Sequence, residues 1–240
     1  MRTFQFDYQT HDYWSVFMTI QEFYPIGLDP TSPSLQSNFP GAQALDARIR
    51  EGILGEFGQV WEQKGQDWGR QLGLPYHSAV QRVAPAYCGY FLLEQGETED
   101  VLFEKRLYLA LSLLGPFFVV FGRTVDRTSY PGPKQIYYGE FITPDRQEIT
   151  RQAVISPIGE YQETFRALEK LVRTEHPQHR FVPFDVYAQW IDGLALHYTE
   201  GSTHTVYHAL FNQEFDFQAR AILGDIDYGS EDWKLTEPKP

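Results

Sequence analysis

Val101-Leu102-Phe103-Glu104-Lys105-Arg106-Leu107-Tyr108-Leu109-Ala110-Leu111-Ser112-Leu113 is the stretch on which the fold reading turns. Val101, Phe103, Leu107, Leu109, Leu111 and Leu113 fall at every second position, interrupted only by Lys105. A period of two places successive side chains on opposite sides of a pleated chain, so the pattern predicts a β-strand with Glu104, Arg106 and Ser112 facing outward. Gly115-Pro116 breaks the run, and Phe117 to Val125 supplies the next strand. Gln135 to Ile142 reads as a third and Glu148 to Ile155 as a fourth. Strands joined this briefly pair antiparallel, because a parallel return needs a long crossover. The apolar run from Leu107 to Phe121 is also shorter than the ~20 residues of a membrane-spanning helix.

Outside this block the apolar period changes. Leu45, Ile49, Ile53, Phe57 and Trp61 recur four apart, which predicts a helix over 42–72, opened near Asn38 and Pro40 and ended by Gly73. Four residues turn ~400° of helix, so this stripe drifts ~40° per step and must wrap its contact face or pack against two elements. Gly52, Gly55 and Gly58 weaken it. Tyr161, Phe165, Leu168 and Val172 predict a second helix over 159–175. Tyr187, Trp190, Ile191, Leu194 and Tyr198, with Pro183 near the first turn, predict a third over 184–199. Residues 1–24 fit one or two strands, 25–41 a loop, and about 234–240 a frayed acidic tail, while Thr203 to Phe215 fits either helix or strand. The sum is an α+β chain, one domain over 1–240, with a predominantly antiparallel sheet and about three packed helices.

With 42% hydrophobic and 16% aromatic residues the chain is far too apolar to stay disordered. Cys88 is its single cysteine, so no intramolecular disulfide can form, and Asp7 interrupts the N-terminus where a signal peptide runs apolar. These features lead us to expect a cytoplasmic protein.

The sequence holds no G-x-S-x-G, G-x-x-x-x-G-K or G-x-G-x-x-G pattern. His204 and His208 would share a helix face and could meet one metal ion, yet on a strand they would stand ~13 Å apart, and no glutamate follows His204. Asp225-Ile226-Asp227-Tyr228-Gly229 lacks the further oxygen ligands of a calcium loop and reads as an acidic turn. Cys88, between Tyr87 and Gly89, reads as a small core residue. We therefore assign no catalytic residue, metal or cofactor. Trp14, Trp61, Trp68, Trp190 and Trp233 are mostly core, though such rings also line small-molecule or carbohydrate pockets, which makes an aromatic-pocket enzyme or ligand-binding protein the alternative reading.

Charge gives the stronger lead. Twenty basic and 32 acidic residues leave a formal charge of −12, which repels nucleic acid and anionic membranes. The acids gather in two stretches, Glu94 to Glu104 and Glu214 to Glu237. Carboxylates beside aromatic anchors suit a basic protein surface, so Glu97, Glu99, Asp100, Asp225, Asp227, Tyr228, Glu231, Asp232 and Trp233 are the expected partner-binding residues. The C-terminal part, with Val186 to Tyr198, the run Thr205-Val206-Tyr207-His208-Ala209-Leu210-Phe211 and an acidic end carrying Trp233, resembles bacterial polymorphic-toxin immunity proteins. That resemblance implies a non-enzymatic protein that binds and neutralises one cognate toxin.

Overall fold

The computed structural model describes residues 3–5, 10–27, 39–97, 101–128, 135–137, 140–142, 147–196 and 204–235. The decisive stretch forms β3 (Val101–Ser112), flanked by β2 (Ala86–Glu97) and β4 (Phe117–Thr128) in long antiparallel ladders. With β1 (Tyr76–Ser78), β7 (Gln147–Val154) and β9 (Ala221–Leu223) the order across the sheet is β1-β2-β3-β4-β7-β9, and β8 (Arg180–Phe181) also pairs with β4. The pairings β4 with β8 and β7 with β9 are parallel; the others in this sheet are antiparallel. The fold is α+β, with a mostly antiparallel sheet of seven strands.

One expectation about β3 fails. Glu104, Arg106 and Ser112 do not face solvent; all three are buried, because the second side of the sheet is covered as well. Leu107, Leu109 and Leu111 pack on one side with Trp61, Trp68, Phe165, Leu168 and Val172. Tyr108 and Ala110 pack on the other with Val16, Ile20, Leu45, Val186, Tyr207 and Phe215. A strand with helices on both sides buries both of its periodic sets, and alternation then ceases to mark the water.

The helices explain the double cover. α3 (Glu56–Leu72) and α4 (Gln162–Glu175) supply Trp61, Trp68, Phe165 and Leu168 to the first side. α1 (Trp14–Phe23), α2 (Pro40–Ile49), α5 (Phe184–Tyr187) and α6 (Val206–Leu210) supply the second. There are thus six α-helices among the described residues, not three. The region read as strand over 1–24 contains α1, whose buried Val16, Ile20 and Phe23 stand four and three apart. The expected helix over 42–72 divides. α2 begins at Pro40, a π-helical turn follows over Arg50–Leu54, and Gly55 separates it from α3. The wide turn and the break absorb the angular drift of the four-residue stripe. Gly73, at φ 70°, ends α3 in the left-handed region, and the Leu74 amide donates to the Gly69 carbonyl at 2.9 Å.

The helix over 159–175 is present as a 3-10 turn at Gly159–Tyr161 leading into α4. The one over 184–199 is a single turn, α5, and 197–199 lie outside the described residues. The chain is already non-helical from Ala188, and further on Gly193 sits at φ 72°, its carbonyl accepts from the Gly27 amide at 2.9 Å, and an added Cβ would lie 2.7 Å from that nitrogen. Trp190 instead bridges to Thr3 and Thr205. The expected third strand is two short ones, β5 (Gln135–Tyr137) and β6 (Glu140–Ile142), paired with each other in a separate sheet. Its place in the main sheet is taken by β7. The expected loop over 25–41 falls largely on 28–38, outside the described residues, while Pro40 and Gly41 already belong to α2. Of the tail, Lys234 bridges to His11 and the Leu235 amide donates to Thr10 at 3.0 Å; 236–240 lie outside the described residues.

Candidate functional site

The acidic stretches part company in space. Glu97 pairs with Leu102 at one end of β3 and is exposed; Glu99 and Asp100 lie outside the described residues. The other end of β3, at Leu111, neighbours Phe118, which pairs with Phe181, whose amide donates to Asp232 at 2.9 Å. Nine residues of strand from 102 to 111 span about 30 Å. The Glu97 end and the Asp232 end are therefore at opposite ends of the sheet.

Local pairing reduces each stretch further. Glu94 accepts from Lys105 at 2.6 Å, and Glu104 is held by Arg106 at 2.7 Å and Arg127 at 3.1 Å. In the C-terminal stretch Glu214 faces Arg123 at 3.6 Å, Asp232 takes Arg173 at 2.8 Å and Glu231 takes Lys234 at 2.6 Å. Asp225 and Asp227 are exposed and form no ion pair among the described residues. Asp225 accepts the Asp227 amide at 3.1 Å, which fixes the turn between them. Its negative field reaches Tyr13, whose phenol is pushed up to about 12, first by burial and then by the Asp227 charge.

The aromatic residues of the expected surface have other duties. Trp233 is fully buried, donates its indole N–H to the Phe181 carbonyl at 2.6 Å and packs on Phe117 and Tyr13. Tyr228 packs edge-on against Phe165 and Phe181 and donates to Glu169 at 2.5 Å. Asp232 caps the Phe181 amide as well as pairing with Arg173. These three hold the last segment to β8 and α4.

The apolar surface beside the turn was not expected from the sequence. Ile222, Leu223 and Ile226 are all exposed, Ile226 at 48%. They sit on or just after β9, the outermost strand of the sheet, which has no strand partner on its free side among the described residues. A groove of about 510 Å³ opens there, lined by Phe184, Ala188, Phe217, Ile222 and Ile226 with Asp185 and Gln189. The backbone fixes its walls: the Asp185 amide donates to the Ile226 carbonyl at 3.0 Å and Gln189 donates to the Asp185 carbonyl at 2.7 Å.

No protein-family model, curated protein or solved structure matches this chain. Its own geometry therefore carries the reading.

The remaining polar cluster is internal. Arg106 donates to both oxygens of Glu148 at 3.1 Å, to Glu104 and to Tyr108, and lies 4.8 Å from the Tyr90 ring centre. Arg123 adds Glu148 at 3.2 Å, Thr150 at 2.8 Å and the Glu214 carbonyl at 2.8 Å. Burial by itself would raise the Glu148 carboxyl; hydrogen bonds and charge from Arg106, with Arg123 and Arg127, outweigh that and hold it below its usual range. The cluster balances its charges internally and ties β3, β4 and β7 together.

The histidine pair resolves as capping. Thr205 and His208 form a reciprocal box at the start of α6, with the Thr205 amide donating to His208 Nδ1 at 3.2 Å. Cys88 is fully buried, and burial pushes its thiol up, out of the range of a nucleophile. Among the described residues no group of three or more His, Cys, Asp or Glu side chains could hold a metal, and no helix is long and apolar enough to cross a membrane.

Proposed function

We propose that this chain is a non-enzymatic binding protein of the immunity type, which blocks one cognate toxin by taking a basic, apolar segment of it into the β9 groove. The observation that carries the reading is the adjacency of exposed Ile222, Leu223 and Ile226 to the unpaired carboxylates of Asp225 and Asp227 on an open sheet edge. Exposed aliphatic side chains at a groove supply desolvation energy, and an acidic rim selects and steers a basic partner. An open edge also offers backbone groups for strand addition. The acidic surface that serves is the C-terminal one, without Trp233.

The test uses the product of the neighbouring reading frame as partner and follows association by stopped flow. We expect the on-rate to fall as salt rises, and Asp225→Lys/Asp227→Lys to slow it by about tenfold or more at low ionic strength. A salt-independent on-rate that the charge reversal leaves unchanged would remove this surface from the account.

A further inference from the structure

On the other face of the sheet, α3 and the end of α4 frame a second cleft, of about 270 Å³. Its apolar wall is Phe57, Val60, Trp61, Tyr87 and Leu111. Phe57 and Val60 stand 57% and 59% exposed, unusual for two such side chains one helical turn apart. The wall is firm: Trp61 stacks on Tyr87 with ring centres 4.9 Å apart, and the Tyr87 hydroxyl donates to the Gly52 carbonyl at 3.0 Å. The polar end consists of Lys64, His176 and His179.

The Lys64 ammonium has three donors. One goes to Glu175 at 2.9 Å and one to His176 Nε2 at 3.3 Å. Because lysine only donates, His176 Nε2 is an acceptor and its ring proton sits on Nδ1. Glu175 is itself engaged by the Trp68 indole N–H at 2.5 Å as well as by Lys64. The third Lys64 donor has no hydrogen-bond acceptor among the described residues, and the ammonium lies 5.6 Å from the Trp68 ring centre. His179, its ring 5.1 Å from that of His176, buries its Nδ1 without a hydrogen-bond partner. That nitrogen is sealed from solvent, so its cost of about 1–3 kcal/mol is borne by the fold and offers a ligand nothing to contact.

We propose that this cleft binds a small aromatic carboxylate, its ring against Trp61, Phe57 and Val60 and its carboxylate accepting from Lys64. The volume suits one or two fused rings, below the range of drug-sized sites. The Lys64 charge is already met by Glu175, so what suits a carboxylate is the remaining ammonium N–H, which makes its stronger bond to a charged acceptor. The site lies on the other side of the sheet from the β9 groove and stands or falls independently of the toxin-binding reading.

Isothermal titration of the full chain with 2-naphthoate and with the neutral 2-naphthalenemethanol tests it. The acid should bind saturably and about tenfold or more tighter than the alcohol, the worth of one charge-assisted hydrogen bond. Lys64→Met should bring the two ligands to within about twofold of each other. Val60→Trp, at an exposed position that the fold does not need, should fill the cleft and abolish binding of both. The proposal is overturned if the acid shows no saturable binding, if it binds no better than the alcohol, or if Val60→Trp leaves its affinity unchanged.

Discussion

Replacing Arg106 by methionine removes one buried cation from a network of three arginines and three glutamates while keeping the length of the side chain. Arg106 is 3% exposed and makes four hydrogen bonds, to Glu104, Tyr108 and both oxygens of Glu148. Glu148 keeps Arg123 and Arg127 and is partly open to water, so its loss is small. Glu104 is 6% exposed and keeps only Arg127, so the penalty of an under-paired buried carboxylate falls there. Such a breakage costs about 3–5 kcal/mol. At a urea slope of about 2.5–3 kcal/mol/M the midpoint of unfolding, followed by tryptophan fluorescence, falls by about 1–2 M. Removing the charge that is left behind restores part of this. Glu104→Gln/Arg106→Met is expected to be more stable than the sum of its single changes by about 1–3 kcal/mol. A methionine variant within about 1 kcal/mol of the parent, or strict additivity in the cycle, would refute the claim that charge pairing organises this end of the sheet.

Two further stability predictions follow from burial. The His208 imidazole is held down to about 4, first by burial and then by the charge of His204. The unfolded chain therefore binds the proton more readily between that value and the ordinary 6.5, and stability falls as pH falls through this window. Allowing for partial exposure, the loss between pH 7 and 5 is about 1–2 kcal/mol. His208→Gln retains an acceptor for the Thr205 amide without titrating, so urea midpoints measured at both pH values should converge by that amount; an unaltered pH slope would contradict the assignment. Trp233→Phe deletes the hydrogen bond to the Phe181 carbonyl and leaves a void in the core, and should cost about 2–3 kcal/mol by thermal melting. A tryptophan acting as a surface anchor would show no such loss.

Much of the sheet was legible because β3 and β4 carry their apolar residues in runs that turns punctuate at Gly115-Pro116. What misled was the assumption that a charged residue between apolar ones faces water. Glu104 and Arg106 are buried because each finds the other, and partners from β4 and β7 bring the local charge to balance. That partnership is a tertiary fact with no periodic signature. Residues 1–24 read as strand because Phe17, Tyr13 and Trp14 are strong strand formers, and the packing of α1 against α2 and α6 overrode the local preference. α5 stops at Tyr187, yet the apolar spacing of Trp190, Ile191 and Leu194 reads as helix until the bridges to neighbouring segments are known.

The site was legible in charge and not in shape. Asp225 and Asp227 stand out in composition and are exposed in the structure, but Tyr228, Asp232 and Trp233 in the same run are turned inward to hold it in place. Ile222, Leu223 and Ile226 carried the missing signal: three aliphatic residues among acids, in a segment whose charge suggests that it lies outside the core. The cleft at Trp61 had no linear signature at all, since Lys64 and His176 meet only through the packing of α3 against the end of α4.

The most direct test of the proposed binding surface compares two charge-bearing ends of one sheet. The equilibrium affinity for the product of the neighbouring reading frame is measured, by surface plasmon resonance, for Ile222→Asp/Asp225→Lys and separately for Glu97→Lys. The account predicts a loss of about thirtyfold or more for the first, since an apolar contact and a steering charge are both removed, and a change of less than about twofold for the second. Equal losses at both ends, or a loss confined to Glu97→Lys, would contradict it.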